Sequence, residues 1–397
     1  MALIVQKFGG TSVGSIERIR DVAKIVKTEL DNDNKVIVVA SAMSGVTDHL
    51  INLSLQVSNL ETDDQRMEYD AILATGEKVS SGILSLTLQS MGIKARSWQG
   101  WQIPILTDEF FTKGRIKTID ATTLLTSIAN DEVPVITGFQ GVFNDRVVTL
   151  GRGGSDTSAA AIAVASHADR CDIYTDVDGV YTADPRIVPN AHIHSYITFE
   201  EMLEMAAAGS KVLHMRAVEI AAKFKLKLRV LSSFSQAQGT EIVSKEVGME
   251  GHQVTGIAID KNISCWEVEC PPDKQNHFLR LFEAFEKNAL SLNQIIMVDG
   301  RALLVLPSMD SIRVNSVLTP LGYKPKELSQ LAQVSVIGIG VKADSTILQK
   351  VFKILSVNGI NILAANTSGI RISFLVPESQ GDSAVICLHD GLGLENI

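Results

Sequence analysis

The chain has 397 residues, of which 45% are hydrophobic and 20% charged, and its formal net charge at pH 7 is −9. This length predicts two to four domains, and the acidic balance argues against binding nucleic acid or an anionic membrane surface. No apolar run is long enough to span a bilayer. The N-terminal run MALIVQK lacks the layout of a signal peptide, and the cysteines lack metal-type spacing. We therefore expect a reduced, cytoplasmic protein.

The chain opens with a predicted strand that ends at a lysine and two glycines. Residues 3–5 are apolar, and the run KFGGTS at residues 7–12 follows before a pattern of helical spacing begins. This order places Lys7 at the carboxyl end of a strand, where ligands of open α/β sheets bind. A solvated surface lysine is the alternative, but the glycines beside Lys7 favour close approach of a ligand to the backbone.

Two further segments carry polar side chains next to apolar ones. The apolar run at residues 36–40 predicts a buried parallel strand and leads into SAMSGVT at residues 41–47. These hydroxyl groups suit either hydrogen bonding to a small ligand or the capping of a helix. Glu77 lies in an apolar neighbourhood, where a carboxylate needs a cationic partner. A ligand ammonium would serve, and so would Lys78.

The most distinctive stretch is LGRGGSDTS at residues 150–158, which is followed by a run of strong helix formers. It predicts a glycine-rich turn that leads into a helix N-terminus, with Ser155 or Asp156 as the N-cap. Arg152 adds a planar group suited to carboxylate or phosphate. The alternative is a structural turn before a buried helix. The spacing is neither that of the phosphate loop with Gly-Lys-Ser/Thr nor that of a dinucleotide-binding turn.

An aspartate-rich turn follows a predicted strand at residues 171–186. It does not fit the EF-hand calcium loop, because no glutamate closes it at the required spacing. Tyr181 and Arg186 could flank a nucleotide base and phosphates. A helix is predicted from Gly209 to Ala222, which makes Lys211 a second candidate for phosphate binding; His214 is given no functional role.

The pattern of predicted elements changes near residues 247–251, after which strands alternate with single helices in short units. Strands are predicted at residues 254–259, 265–268, 292–296 and 302–306, and the pattern then recurs with strands at 334–340, 360–363 and 371–376. This is an internal duplication of a ferredoxin-like βαββαβ unit.

Five runs resemble the signature runs of the aspartate kinase family. They occur in the family's order: KFGGTSV at 7–13, SAMSGVT at 41–47, TGE at 75–77, GRGGSDT at 151–157 and TDVDGVY at 175–181. The duplication resembles that family's tandem ACT domains. The resemblance implies an α/β fold with an amino-acid-kinase-type three-layer αβα sandwich and a mainly parallel sheet in residues 1–245. It implies ACT units at 252–328 and 329–397.

The resemblance implies transfer of the γ-phosphoryl group of ATP to the side-chain carboxylate of L-aspartate, giving 4-phospho-L-aspartate, the first step towards lysine, threonine and methionine. The acceptor has an ordinary pKa of about 3.9 and is already ionised at neutral pH, so no general base is required. Catalysis is then positioning and electrostatics. Mg2+ is expected to bridge the phosphates, and no residue is assigned as its direct ligand.

Roles for individual residues follow from the same resemblance. Lys7 and Asp156 are the catalytic residues, with Asp156 orienting Lys7, which holds the phosphoryl group together with the amides of Gly9 and Gly10. The substrate-binding residues are Ser41, Thr47, Glu77, Arg152 and Ser155. The nucleotide-binding residues are Lys7, Phe8, Gly9, Gly10, Thr175, Asp176, Tyr181, Arg186 and Lys211.

The ACT units imply an amino-acid effector, lysine or threonine, and a homodimer or tetramer assembled through them. The sequence departs from the family in the loops that carry the effector. Pro271 and Pro272 replace a Pro-Gly turn, and Gly369 stands where an acidic residue is usual. An altered effector and a loss of feedback are both consistent with these changes. Met215 replaces a proline, and Met249 lies where some relatives begin a separate regulatory subunit.

Two other functions are alternatives to this one. Another kinase of the same fold, such as glutamate 5-kinase, would lack the tandem C-terminal units and the KFGGTS run. A non-catalytic amino-acid sensor built on an inactive kinase would be expected to lack charged residues that this chain retains.

Overall fold

The computed structural model describes residues 1–244, 253–269, 277–288, 290–298, 301–342 and 345–396. The chain forms two compact units. The first comprises Met1–Tyr181, Ile193–Ala206 and Lys211–Gly251, and the second comprises Thr182–His192, Ala207–Ser210 and His252–Ile397. The predicted catalytic range of residues 1–245 therefore differs, because two short segments inside it belong to the second unit. Of the helices in the described ranges, none is both long and apolar enough to cross a membrane.

The first unit alternates strands and helices for most of its length. Its strands are β1 (Leu3–Phe8), β2 (Lys35–Ala40), β3 (Ala95–Trp98), β4 (Ile105–Thr107), β5 (Ile116–Ile119), β6 (Val133–Thr137), β7 (Gln140–Phe143), β8 (Arg146–Thr149), β9 (Arg170–Thr175), β10 (Tyr196–Thr198), β11 (Leu228–Ser232) and β12 (Thr240–Val243). Its helices are α1 (Ile16–Asp31), α2 (Val46–Leu55), α3 (Asp63–Leu73), α4 (Thr75–Ser90), α5 (Thr122–Ala129), α6 (Gly154–Ala165), α7 (Phe199–Ala207) and α8 (Met215–Phe224).

Eight of these strands form one sheet in the order β10-β12-β11-β9-β1-β2-β6-β3. All neighbours pair in parallel except β11 and β12, which are antiparallel. The central strands β1, β2 and β6 are almost continuously buried, as expected where helices cover both faces of a parallel sheet. The remaining four strands form a second sheet in the order β5-β4-β7-β8.

The alternation of side chains along β1 shows which helices cover which face. Phe8 lies in a core with residues of α1 and α4, and its ring stacks on Tyr174 at 4.7 Å between centroids. Successive side chains of a strand point to opposite faces, so Lys7 points to the other face. There it meets Asp156 of α6. Helices therefore cover both faces, and the predicted three-layer αβα sandwich is confirmed.

The second unit contains two four-stranded antiparallel sheets. Its strands are β13 (Gly256–Asp260), β14 (Ile263–Glu269), β15 (Gln294–Val298), β16 (Arg301–Pro307), β17 (Lys324–Leu328), β18 (Leu331–Ile337), β19 (Ala364–Ser368) and β20 (Arg371–Pro377). Its helices are α9 (His277–Lys287), α10 (Ser311–Leu318), α11 (Ser345–Val357) and α12 (Glu378–Leu392). The sheet orders are β15-β16-β14-β17 and β13-β18-β20-β19. Both are ferredoxin-like orders, as the duplication predicted.

Strand β13 corrects the predicted division between the two repeats. The prediction placed residues 252–328 in the first repeat, but β13 pairs antiparallel with β18 of the second repeat's sheet. No described strand follows α12, so β13 occupies the edge place that the fourth strand of a βαββαβ unit would fill. Another predicted strand, at residues 360–363, is shifted, since β19 begins at Ala364. Met249 and the turn at residues 271–275 lie outside the described residues.

The segment Thr182–His192 joins the second unit because it contributes to that unit's core. Val188 is 1% exposed and packs with buried residues of β18, α11 and α12. The carbonyl of Thr182 accepts a hydrogen bond from the amide of Ile257, and its hydroxyl lies 2.9 Å from Nε2 of His389. Sequence periodicity does not reveal such non-local packing of a loop.

Candidate active site

Five mutually parallel strands of the large sheet, β1, β2, β6, β9 and β11, end at one edge. Pairing continues one residue past the strand ends. In each case a backbone amide donates a hydrogen bond to a carbonyl of the neighbouring strand. The Gly9 amide donates to Tyr174 O at 3.1 Å and the Ser41 amide to Phe8 O at 3.1 Å. The Gly138 amide donates to Ala40 O at 3.0 Å and the Ser233 amide to Thr175 O at 3.1 Å. The predicted motifs that follow β1, β2 and β9 are thereby brought side by side.

Lys7 forms the central ion pair of this edge. Its Nζ lies 2.7 Å from Oδ1 of Asp156, and Lys7 is only 8% exposed. The other carboxylate oxygen, Oδ2, accepts a hydrogen bond of 3.3 Å from the amide of His214. Asp156 is therefore fixed from two sides, and the position of the lysine ammonium group follows from it.

The glycines after Lys7 differ in what their amides do. The Gly9 amide is already bonded to Tyr174 O, so it is not free to bind phosphate as the resemblance implied. The Gly10 amide donates to no atom of the described residues. A Cβ placed on Gly10 would lie 3.0 Å from the carbonyl of Ala42, so glycine allows this turn to approach the segment after β2.

The start of α6 corrects the predicted helix cap. The N-cap is Gly153, whose φ of 68° lies in the left-handed region, and Ser155 and Asp156 lie in the first turn of the helix. The prediction of Ser155 or Asp156 as N-cap is therefore wrong. Both side chains still lie at the positive end of the helix dipole, beside amides without helical partners. A Cβ on Gly138 would lie 2.8 Å from Oγ of Ser155, so the end of β6 approaches this turn closely.

Glu77 is a buried carboxylate without a cationic partner among the described residues. It lies in the first turn of α4, is 3% exposed, and accepts one hydrogen bond of 3.1 Å from the amide of Ala42 through Oε1. Its Oε2 is buried and unpaired, and the predicted alternative of an ion pair with Lys78 is not seen. Burial raises the pKa of Glu77 to about 7, against the opposing effect of the Ala42 amide.

The start of α4 lies against the turn that carries the predicted substrate hydroxyls. A Cβ on Gly76 would lie 2.8 Å from Cβ of Ala42, and Oγ of Ser80 donates a 2.6 Å hydrogen bond to the carbonyl of Ser41. Ser41 is half-buried at the end of β2, and Thr47 is half-buried in the first turn of α2. Glu77 and these hydroxyl-bearing residues therefore belong to one neighbourhood.

Arg152 is exposed and none of the ion pairs of the described residues includes it. It lies between β8 and α6, flanked by Gly151 with a φ of 75° and Gly153 with a φ of 68°. Its charge lowers the pKa of His214, although burial of the imidazole is the larger cause of that shift. The guanidinium is thus free to bind a ligand near the start of α6.

The predicted nucleotide residues are only partly brought together. Thr175 and Asp176 lie at the end of β9, with the Thr175 hydroxyl donating to Asp176 Oδ1 at 3.1 Å. Tyr181 follows in the same loop and pairs with Ile193. The side chain of Phe8 is fully buried, so only its backbone could contact a ligand.

The other two predicted nucleotide residues lie differently. Arg186 belongs to the segment Thr182–His192 of the second unit, and its guanidinium pairs with Asp184 at 2.7 Å. Lys211 is exposed and lies before α8, because that helix begins at Met215 rather than at Gly209 as predicted.

Sequence reasoning missed two charged residues that hold the segment before Arg152. Asp70 of α3 is fully buried and accepts hydrogen bonds from Thr149 and Thr112. Arg216 of α8 donates to the carbonyls of Leu150 and Gly114. Neither residue lies in a glycine-rich run or after a strand, so no local pattern singled it out.

Comparisons with known proteins show the family to which the chain is similar. The amino acid kinase family matches residues 2–232, and the ACT domain matches residues 334–392. An aspartokinase of Rickettsia felis is 40% identical over 405 residues, covering 98% of this chain and 99% of its own length.

Two solved structures extend the comparison. Escherichia coli aspartokinase III with aspartate and ADP has a TM-score of 0.87 at 25% identity and covers 98% of this chain and 100% of its own. The same enzyme with lysine and aspartate has a TM-score of 0.76, also at 25% identity, and covers 98% of this chain and 99% of its own.

Proposed function

The chain belongs to the aspartokinase family, and we propose that the residues gathered around Lys7 carry out that family's reaction. The protein transfers the γ-phosphoryl group of ATP to the side-chain carboxylate of L-aspartate and yields 4-phospho-L-aspartate. One observation supports the location most strongly. The buried ion pair of Lys7 and Asp156 lies at the carboxyl edge of the sheet, where the strands that precede Gly10 and Ser41 also end.

The reaction needs no proton removed from the acceptor, because an aspartate side chain is ionised at neutral pH. The difficulty is the approach of two anions and the stabilisation of negative charge on the transferring group. The Lys7 ammonium and the Gly10 amide would contact the phosphoryl oxygens. Asp156 keeps Lys7 in place, since its carboxylate is itself held by the His214 amide. Fixed donors of this kind stabilise developing charge without reorganisation.

We propose that Glu77 binds the α-ammonium group of aspartate. Its unpaired Oε2 is the buried acceptor that a ligand cation would complete. Binding would also return the pKa of Glu77 towards its ordinary value, because a cation favours the ionised carboxylate. The hydroxyls of Ser41, Thr47 and Ser155 would add hydrogen bonds around the same substrate.

Arg152 would bind the α-carboxylate of aspartate through two parallel hydrogen bonds, the geometry that a guanidinium offers a carboxylate. Its exposure and lack of an ion pair within the described ranges support this role. With Glu77 at the ammonium and Arg152 at the α-carboxylate, the side-chain carboxylate is left to approach the phosphoryl group beside Lys7.

For the nucleotide we propose Thr175, Asp176, Tyr181, Arg186 and Lys211, together with the amide of Gly10, since the Gly9 amide is bonded to Tyr174 O. Mg2+ would enter with ATP and be held by phosphate oxygens, as is usual for a cation that keeps most of its waters. When bound, it would neutralise charge on the phosphates. Asp176 is exposed at the end of β9 and could contact its water shell.

We further propose that residues 1–245 catalyse the reaction while the two ACT units bind an effector. The lysine complex of the E. coli enzyme supports lysine as the first effector to test, with threonine as the second. A homodimer or tetramer formed through the ACT units is part of this proposal. The cysteines of the described ranges, Cys171, Cys265 and Cys387, are free thiols, which supports a cytoplasmic location.

The proposed function is tested by trapping the acyl phosphate with hydroxylamine in the presence of ATP and Mg2+. Aspartate should give hydroxamate and glutamate should give almost none. Hydroxamate from glutamate but not from aspartate would overturn the substrate assignment, and no ATP turnover with either would favour a non-catalytic amino-acid sensor.

A further inference from the structure

Arg216 is a half-buried cation whose hydrogen bonds go to the backbone. Its Nη1 donates to the carbonyl of Leu150 at 2.6 Å and its Nη2 donates to the carbonyl of Gly114 at 2.8 Å. None of the ion pairs in the described part of the chain includes it. Charged donors make the stronger hydrogen bonds, so Arg216 links the loop that contains Gly114 to the loop that contains Leu150.

Asp70 holds the same two loops from a different helix. Its Oδ2 accepts from the amide of Thr112 at 2.8 Å and from the amide of Thr149 at 2.9 Å, and its Oδ1 accepts from the Thr149 hydroxyl at 2.6 Å. The Gly114 amide in turn donates to the carbonyl of Thr149 at 2.9 Å. The two residues directly before Gly151 are therefore fixed by two charged side chains, Asp70 from α3 and Arg216 from α8.

The start of α8 also contacts the turn on the other side of Arg152. The His214 amide donates to Asp156, and the His214 ring lies where a side chain on Gly153 would be, with Cγ 2.1 Å from a Cβ placed there. Residues 214 and 216 therefore contact the chain both before and after Arg152. Arg152 itself has no partner among the described side chains, so its direction is set by this backbone.

We propose that Arg216 is a positioning residue for aspartate: by holding the carbonyls of Leu150 and Gly114, it sets the backbone from which Arg152 reaches the substrate. The inference rests on the role proposed above for Arg152. It predicts an effect on aspartate rather than on ATP. Lys7 is held within β1, which pairs on both sides inside the large sheet, and its partner Asp156 accepts a hydrogen bond from the backbone amide of His214, which a substitution at Arg216 retains.

The test compares Michaelis constants for both substrates in Arg216→Lys and Arg216→Met, with thermal unfolding measured alongside. Lysine keeps the charge but lacks the planar fork that reaches two carbonyls. We expect R216K to raise the KM for aspartate about threefold to tenfold, and R216M to raise it more than tenfold, as expected for the loss of charged hydrogen bonds. The KM for ATP should stay within about twofold. Added methylguanidine should partly restore the KM for aspartate in R216M.

Arg146→Met is the matched control. Arg146 lies on β8, the strand that ends directly before Leu150, but its guanidinium pairs with Glu68 at the surface. It should leave both Michaelis constants unchanged. A wild-type KM for aspartate in R216K would overturn the inference, and so would equal changes for aspartate and ATP, which indicate a merely structural role.

The variant Arg152→Met distinguishes a failure of the inference about Arg216 from a failure of the role proposed for Arg152. A raised KM for aspartate in R152M together with a normal one in R216K would overturn the inference alone. A normal KM in R152M would overturn the role of Arg152, and the inference with it.

Discussion

Glu77 is the side chain whose burial most clearly favours function over stability. Its Oε2 has no hydrogen-bond partner among the described residues, and burial raises the pKa of Glu77 to about 7 because it disfavours the charged form. The folded state therefore binds this proton more tightly than the unfolded chain does. The contribution of Glu77 to stability is fully present below about pH 4.5 and is lost as the pH rises through about 7.

Glu77→Gln should accordingly stabilise the unliganded protein at pH 8, by up to about 3 kcal/mol in the free energy of unfolding. The glutamine oxygen can still accept from the Ala42 amide, while the buried charge is gone. Urea denaturation without ligands measures the change, with the exposed Glu61→Gln as control. A lower stability of E77Q than of the wild type would show that the carboxylate has a stabilising partner.

The same carboxylate predicts a pH dependence for substrate binding. A group with a pKa of about 7 in the free enzyme is mostly ionised at pH 8 and about 10% ionised at pH 6. Because only the ionised form attracts the substrate ammonium, kcat/KM for aspartate should fall about tenfold between these values. The kcat/KM for ATP should fall much less. A profile for aspartate that is flat from pH 6 to 8 would remove Glu77 from the ammonium site.

At the scale of elements, the structure depends on close contacts between the glycine turn and its neighbours. Gly153 has a positive φ and lies directly against the ring of His214. The turn therefore excludes a side chain for two reasons, one of backbone conformation and one of space.

Gly153→Ala should lower the free energy of unfolding by about 2–4 kcal/mol. Adding His214→Ala should recover part of that loss, because the ring no longer meets the new methyl group. The His214 amide, and thus its bond to Asp156, is kept in both variants. Denaturant unfolding of the two single variants and the double variant gives the coupling. Strictly additive effects would contradict the contact.

The sequence predicts those residues of the site that lie in a local sequence pattern, and it misses those that act through distant loops. Lys7 lies at the end of an apolar run before two glycines, so strand, turn and candidate function can all be predicted locally. Arg216 lies near the start of a helix that was predicted to begin at Gly209, and its importance arises from loops more than sixty residues away. The cap of α6 was misplaced because three glycines leave several cap positions possible.

In the molecule as a whole, two segments pack in a sheet or unit other than the one that their place in the sequence predicts. Strand β13 precedes the first repeat in sequence but completes the sheet of the second. The segment Thr182–His192 follows the loop after β9 in sequence but packs in the second unit. Periodicity predicted the duplication of strands and helices, since that signal is local. Which edge a strand occupies depends on pairing between distant segments, so the repeat boundary could not be predicted.

Val188→Ala should therefore destabilise the second unit although it lies within the predicted catalytic range. A buried valine that loses two methyl groups should lower the free energy of unfolding by about 2 kcal/mol. Val357→Ala on the exposed face of α11 is the matched control and should have little effect. Hydrogen exchange of α11 and α12 would locate the change. Unaltered protection there would show that the segment is not part of this core.

The proposed reaction depends on the Lys7 ammonium group, which is held by Asp156 and stabilises the phosphoryl group during its transfer to aspartate. The most direct test is the kcat of Lys7→Met in the hydroxylamine assay with saturating ATP, Mg2+ and aspartate, beside circular dichroism and thermal unfolding of the same protein. We predict a folded protein whose kcat is lower by at least about a thousandfold. A folded K7M variant with a kcat within about tenfold of the wild type would contradict this role of Lys7.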